Sequence, residues 1–307
     1  NYQLSSNINS DTAGYNNVVG DNGFEPIVDF SGEFDGQDNE IADLVLDITE
    51  FDKQYGLFES TTSDATIQDV TLADVTTTGD EVNADFVGAL AGTNEGDITN
   101  AAVTGSVTAQ DSVSVGGLVG KNEGTISDSN ADVTVESGSQ SQIGGLVAVN
   151  DGTIENSDAT GEINVGDGGV QDTTAGGLVG VNNAGATVDD SSASATVTGG
   201  DEGTTPYVKV GGLVGINEGE IVNSDAVGSV DGGLNAKIGG LVGQNRDSSA
   251  SIKNSFATGN VVGDDEASVG GLVGENFNGL IEDSNAEGDV EAGVDSTAGG
   301  LVGVNQE

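Results

Sequence analysis

The sequence predicts an all-β protein: a parallel β-helix, or three-sided β-solenoid, of about ten coils with an aromatic-rich N-terminal cap. Three observations predict it. A seven-residue phrase, in the form Ser114-Val115-Gly116-Gly117-Leu118-Val119-Gly120, is written eight times between Phe86 and Gly303. Its first glycines fall at 88, 116, 144, 176, 211, 239, 270 and 299, so the spacings are 28, 28, 32, 35, 28, 31 and 29 residues. Nothing in these units has helical periodicity, and short runs such as Ala131, Val133, Val135 alternate with polar residues as strands do.

The order inside a unit is fixed. An Asn stands six residues after the first Gly, giving Asn94, Asn122, Asn150, Asn182, Asn217, Asn245, Asn276 and Asn305. Then come an Ile or Val, a Ser three later, an Ala two later and a Val four later, as in Ile126, Ser129, Ala131 and Val135. Extra residues enter in two places: after the Asn, as in Asn245 to Ser251, or between the last Val and the next Gly-Gly, as in Thr198 to Val210. These places must be corners. Three blocks of about nine residues therefore make one coil, each stacked on its counterpart ~4.8 Å along the axis. A four-stranded propeller blade commonly needs ~40–50 residues, more than the unit offers.

Stacking makes ladders of like residues. Leu118 would lie between Leu90 and Leu146, paired glycines let strands approach without a Cβ, and the eight Asn side chains can hydrogen-bond along the axis. The phrase followed by Asn and by Ile-x-x-Ser-x-Ala-x-Gly-x-Val resembles the GLUG-motif repeat of large secreted and surface-exposed bacterial and archaeal proteins, many of them adhesin-like. The resemblance covers about 85–307, and "FSGEFDGQDNEIADLVLDI" with "YGLFES" looks like the segment preceding such repeats. It departs at Ala89, Ala91 and Ala148, and at Glu59, where Gly is usual. The resemblance implies a β-solenoid on the cell surface, and no reaction.

Residues 1–84 read as capping coils and 85–307 as the repeats. Tyr2, Tyr15, Phe24, Phe30, Phe34, Phe51, Tyr55 and Phe58, eight of the twelve aromatics, lie in the first 60 residues, suited to covering the end of a solenoid. An aromatic platform for carbohydrate fits less well, since Phe outnumbers Tyr there and Trp is absent. After Asn305 the last coil lacks its remaining sides, so it reads either as cut there or as completed by something else. Tyr2, Leu4 and Ile8 lie on an alternating segment, and Leu301 and Val302 on the open coil. These five are the candidates for head-to-tail self-assembly into an extracellular fibre or stalk for adhesion or cell contact; the alternative is a piece of a long monomeric adhesin.

The chain has 52 Asp plus Glu, 6 Lys plus Arg and a formal charge of −46, spread along its 307 residues. Even spreading points to solvent, as in proteins from halophiles, and the charge argues against nucleic acid and anionic membrane surfaces as ligands. No apolar run reaches the ~18 residues of a membrane helix. Cysteine is absent, and with it disulfides and thiolate metal sites. Methionine is absent too, which reads as a processed or trimmed product. No Asn-x-Ser/Thr glycan acceptor occurs.

A polysaccharide-acting enzyme is the lesser alternative. A lyase would need clustered cations near its acids, yet Lys53, Lys121, Lys209, Arg246, Lys237 and Lys253 are scattered over different units, so no catalytic residue and no cofactor is assigned. Glu95, Glu123 and Asp151 follow the stacked Asn in three consecutive units and should form a carboxylate column. Repulsion there is ~0.9 kcal/mol per pair in water at ~4.8 Å. Salt would offset it, and calcium or magnesium along the column is the sharper reading.

Overall fold

A computed structural model describes residues 1–15, 23–48, 53–78, 84–166, 172–200 and 208–306. Phe51 and residues 201–207, within the longest insertion, lie outside the described residues. The fold is all-β: three parallel sheets run the length of a solenoid of about nine turns. In the coil of Asn122 the first side is Ser114–Gly116, the second Val119–Asn122, and the third Thr125–Ser127 followed by Asn130–Ser137. Each pairs with its counterpart in the next coil without slip: Gly116 with Gly144, Asn122 with Asn150, Ile126 with Ile154 and Ala131 with Ala159.

The three sides are unequal, against the expectation of three similar blocks. Two are short, and the third is long and bent once. At the bend stands Asp69, Asn100, Asp128, Asn156, Asp190, Asn223, Asn254 or Asp283, with φ between 45° and 54°. Asp and Asn tolerate this left-handed conformation better than any other residue with a Cβ, so each coil turns there without glycine. The second side counts nine strands, from Phe58–Ser60 to Val302–Gln306, which at ~4.8 Å spacing makes the stack roughly 40 Å long.

Leu90, Leu118 and Leu146 are fully buried and stacked, Leu90 donating its N–H to the Leu118 carbonyl and Leu118 to that of Leu146. The two glycines of the phrase have different tasks. A Cβ on Gly116 would lie 2.0 Å from the Val119 carbonyl oxygen, because the first and second sides fold face to face there. A Cβ on Gly145 would lie 3.0 Å from that of Ala159, and Gly177, Gly212 and Gly240 meet Ala193, Ala226 and Ala257 at the same distance. The small pair, Gly on one side and the Ala of Ser-x-Ala on the other, fills the thin part of the coil, and the closer limit on a side chain at Gly145 is the Gly177 carbonyl oxygen of the next coil, 2.1 Å from that Cβ.

The N-terminal cap closes on aromatic contacts. Phe30 packs tilted against fully buried Phe58 with ring centres 4.8 Å apart, Phe34 meets Phe58 edge-on at 5.6 Å, and Tyr2 lies 5.9 Å from Phe30. Tyr15 donates its hydroxyl to the Asp43 carbonyl at 2.7 Å, and burial raises its pKa. The long strand Thr66–Thr78 of the cap pairs directly with Asp97–Thr108 of the repeats, so the same sheet crosses the boundary placed at residue 84.

Candidate functional site

Where each coil passes from its second to its third side, the Asn side chain turns inward. Asn94 donates its Nδ2 to Asn122 Oδ1, and the chain of bonds continues through Asn150, Asn182, Asn217, Asn245 and Asn276 to Asn305, at 2.7–2.9 Å throughout. All eight ladder residues predicted from the spacing take part. Thr61, which the spacing did not single out, starts the ladder by donating its hydroxyl to Asn94 Oδ1 at 2.8 Å. Asn94, Asn122, Asn150, Asn217 and Asn276 also brace their own corners, as Asn94 does by donating to the Gly96 carbonyl.

A second ladder stands just past the bend of the third side. The backbone N–H of Ser129 donates to Ser157 Oγ, that of Ser157 to Ser191, Ser191 to Ser224, Ser224 to Ser255 and Ser255 to Ser284, at 3.1–3.2 Å. Each hydroxyl in turn donates to the carbonyl two residues earlier, as Ser157 does to Glu155. The left-handed bend carries the backbone out of the sheet ladder, and the Ser oxygen supplies the acceptor the bent backbone cannot.

The carboxylate column is built differently from the expectation. Lys121 reaches from the second side between Glu123, at 2.5 Å, and Asp151, at 3.2 Å. Its hydrogen bond to Glu123, joined by that to Asp151, holds its ammonium above the usual lysine range. Further along the row Asn183 donates to Asp151 at 2.7 Å, and Arg246 donates to Glu218 at 2.7 Å. Repulsion is thus relieved by cations and amides of the same and neighbouring coils. Among the described residues no three acidic side chains converge as an ion would require, and Glu95, Glu123 and Asp151 are exposed.

The sites expected to serve assembly lie at opposite ends. Tyr2 pairs in parallel with Phe34, Leu4 donates its N–H to Asp35, and Ile8 donates to Glu40, so one edge of this segment is already used by its own chain. Tyr2 is 64% exposed; Leu4 and Ile8 line an apolar cavity of about 460 Å³ with Phe24, Ile41 and Leu44. Leu301 accepts backbone bonds from Leu272 and Val273, and Val302 pairs with Val273.

The six cations are not as scattered in space as in sequence. Lys209 pairs in register with Lys237 and senses the charges of Lys237 and Arg246, but each of the three has an acid at hand: Asp172 for Lys209 at 2.5 Å, Glu275 for Lys237 and Glu218 for Arg246. Burial lowers the Lys209 pKa, against the pull of Asp172. The pairs leave no net cationic patch. No helix among the described residues is long and apolar enough to cross a membrane.

Five segments, 111–136, 139–164, 172–198, 235–262 and 265–291, match the family model of the GLUG motif. Each matched segment runs from just before the glycine phrase to the end of the third side, so the motif is one coil. No curated sequence matches the chain. Among solved structures the fold is similar to that of a protein named IgA1 protease, with a TM-score of 0.55 and 21% identity over 84% of this chain and 20% of that one. The chain therefore spans one fifth of that protein, and the likeness is one of fold alone.

Proposed function

We propose that this GLUG-repeat β-helix is a non-enzymatic structural rod of an extracellular surface protein, working at high salt as a stalk in adhesion or cell contact. The observation that supports it most is the unbroken Asn ladder from Thr61 to Asn305: every coil spends its inward polar groups on holding the next coil in register. A rod needs that, and catalysis does not. The few cations each stand beside an acid instead of gathering into a cluster.

The same register can continue along the axis in two ways. A second copy can stack head to tail, using the outer edge of the Tyr2 segment and the Leu301 end, or further coils of one polypeptide can follow. Electron microscopy in molar salt separates them: fibres with an axial repeat near roughly 40 Å support stacking, and isolated rods support the long monomer. Cleavage of a polysaccharide or peptide by the purified chain would overturn the non-enzymatic reading under either arrangement.

A further inference from the structure

We infer that a notch on the corner between the second and third sides binds one residue of a neutral glycan. It arises from unequal corners. The chain from ladder Asn to the next Ile or Val is short in the coil of Asn217, which runs Asn217-Glu218-Gly219-Glu220-Ile221, as it is in the coils of Asn94, Asn122 and Asn150, but only here does a longer corner stand on each side. Its neighbours are longer: Asn182 to Val188 with two extra residues, and Asn245 to Ile252 with three. Both extra pieces fold as turns, Ala186 donating its N–H to Asn183 and Ala250 to Asp247. The short coil is therefore the floor between two raised walls.

The resulting concavity, about 400 Å³, is lined on one wall by Ala186 and Thr187, on the floor by Gly219 and Glu220, and on the other wall by Ser248 and Ser249. That volume suits a monosaccharide-sized ligand. Glu220 and Lys253 are paired at 2.7 Å with side chains 43% and 35% exposed, so an acceptor and a donor both face the solvent of the notch. Ligand hydroxyls donate and accept at once, which is what such a lining can use. Leu280, 49% exposed, adds an apolar contact for a C–H face.

The charge selects against acids. Glu220 neutralises Lys253 and Glu218 neutralises Arg246, so a uronate would meet no free cation in a molecule of net charge −46. Hydrogen bonds to a neutral sugar, by contrast, do not depend on long-range attraction that molar salt screens. The site goes beyond the rod reading and holds however the rod is continued, because all its walls belong to three consecutive coils and Leu280.

Amide NMR in molar NaCl tests it, with methyl glycosides of mannose, galactose, glucose and N-acetylglucosamine as probes and sodium glucuronate as the charged counterpart. At least one neutral glycoside is expected to shift the amides of Gly219, Glu220 and Ser248 to Ser251 saturably, with glucuronate weaker by about tenfold or more. Replacing Asp247–Ala250 by a single glycine gives this coil the short corner of Asn217 and removes a wall. Binding should fall by about fivefold or more while the ladder amides stay in place. Ser249→Trp, at an exposed position, fills the notch without touching a ladder and should lower binding alike. The inference is overturned if no neutral glycoside shifts these amides, if glucuronate binds as well, or if both variants bind unchanged. None of these outcomes bears on whether the molecule forms rods.

Discussion

Each coil turns at two Asx corners, and they follow different rules. At the corner before the third side the residue is Asn in all eight repeats, from Asn94 to Asn305, and its amide is buried in the ladder along most of the stack. At the bend within the third side the residue is Asp69, Asn100, Asp128, Asn156, Asp190, Asn223, Asn254 or Asp283, exposed or nearly so, with φ near 50° in each. The first corner needs a group that donates and accepts at once, and of the two Asx side chains only the amide does both. The second needs only a backbone that enters the left-handed region, which Asp and Asn serve equally. Its mixture has a use: in the run Asp69, Asn100, Asp128, Asn156, Asp190 carboxylates alternate with amides, and Asn100 donates to Asp69 at 2.7 Å.

The sharpest way to break this comparison is one substitution made twice. Asn150→Asp puts a carboxylate where Asn150 Nδ2 donates to Asn182 Oδ1 at 2.9 Å, so two oxygens face each other in a buried site. We expect a loss of about 3–5 kcal/mol, read as a fall in chemical-denaturation midpoint. Asn156→Asp, at the other corner, should change stability by about 0.5 kcal/mol or less. Similar losses at both sites would show that the two corners are equivalent.

The difference between the corners also explains how far the sequence could be read. Side chains that bond to their own kind must repeat identically, so the Asn and Leu ladders and the period were legible from Asn94 and Leu90 onward. The bend was not, because it is a backbone requirement met by two residue types, although Ile/Val-x-Asp/Asn-Ser recurs from Ile126 to Ser284. The Lys121 bridge was hidden for another reason: Lys121 lies before Asn122 and its acids after Asn122 and Asn150, so only the folded corner unites them. The notch was hidden too, since it comes from a difference in length between coils and not from a motif.

Next in size is the thinness of the coil. A Cβ on Gly145 would lie 2.1 Å from the Gly177 carbonyl oxygen and 3.0 Å from Ala159 Cβ, so Gly145→Ala should cost about 2–3 kcal/mol. Ala159→Gly in the same chain removes only the second contact, and should restore little; a full rescue would mean that the Ala contact, and not the backbone, sets the spacing. Ser157→Ala tests the device that repairs the bend. It strands the Ser129 N–H, which donates to Ser157 Oγ at 3.2 Å, and should lower stability by about 1–2 kcal/mol. Ser127, outside the ladder, should tolerate alanine with a change of about 0.5 kcal/mol at most.

The smallest expected effect concerns charge stacked on the outer face of the third side, where no amide separates the acids. Asp158 accepts from Ser192 at 2.5 Å, and Asp225 follows Ser192 in register. Burial, and then the charge of Asp158, raises the Asp225 pKa. The sign follows from linkage: a carboxyl whose folded pKa lies above its unfolded value binds its proton more tightly when folded. Its ionised form therefore detracts from stability above the folded pKa, and the penalty disappears as pH falls through that value and then the unfolded one. Asp225→Asn should stabilise the protein near pH 7 by about 0.5 kcal/mol or less after screening, and should lose that advantage in acid. Molar salt should shrink it as well, because part of it is repulsion from Asp158. Thermal melts of the two proteins at pH 7 and at pH 3, each in low and molar NaCl, measure all three effects; a variant equally stabilised at pH 3 would show that packing, and not the stacked charge, is what Asp225 disturbs.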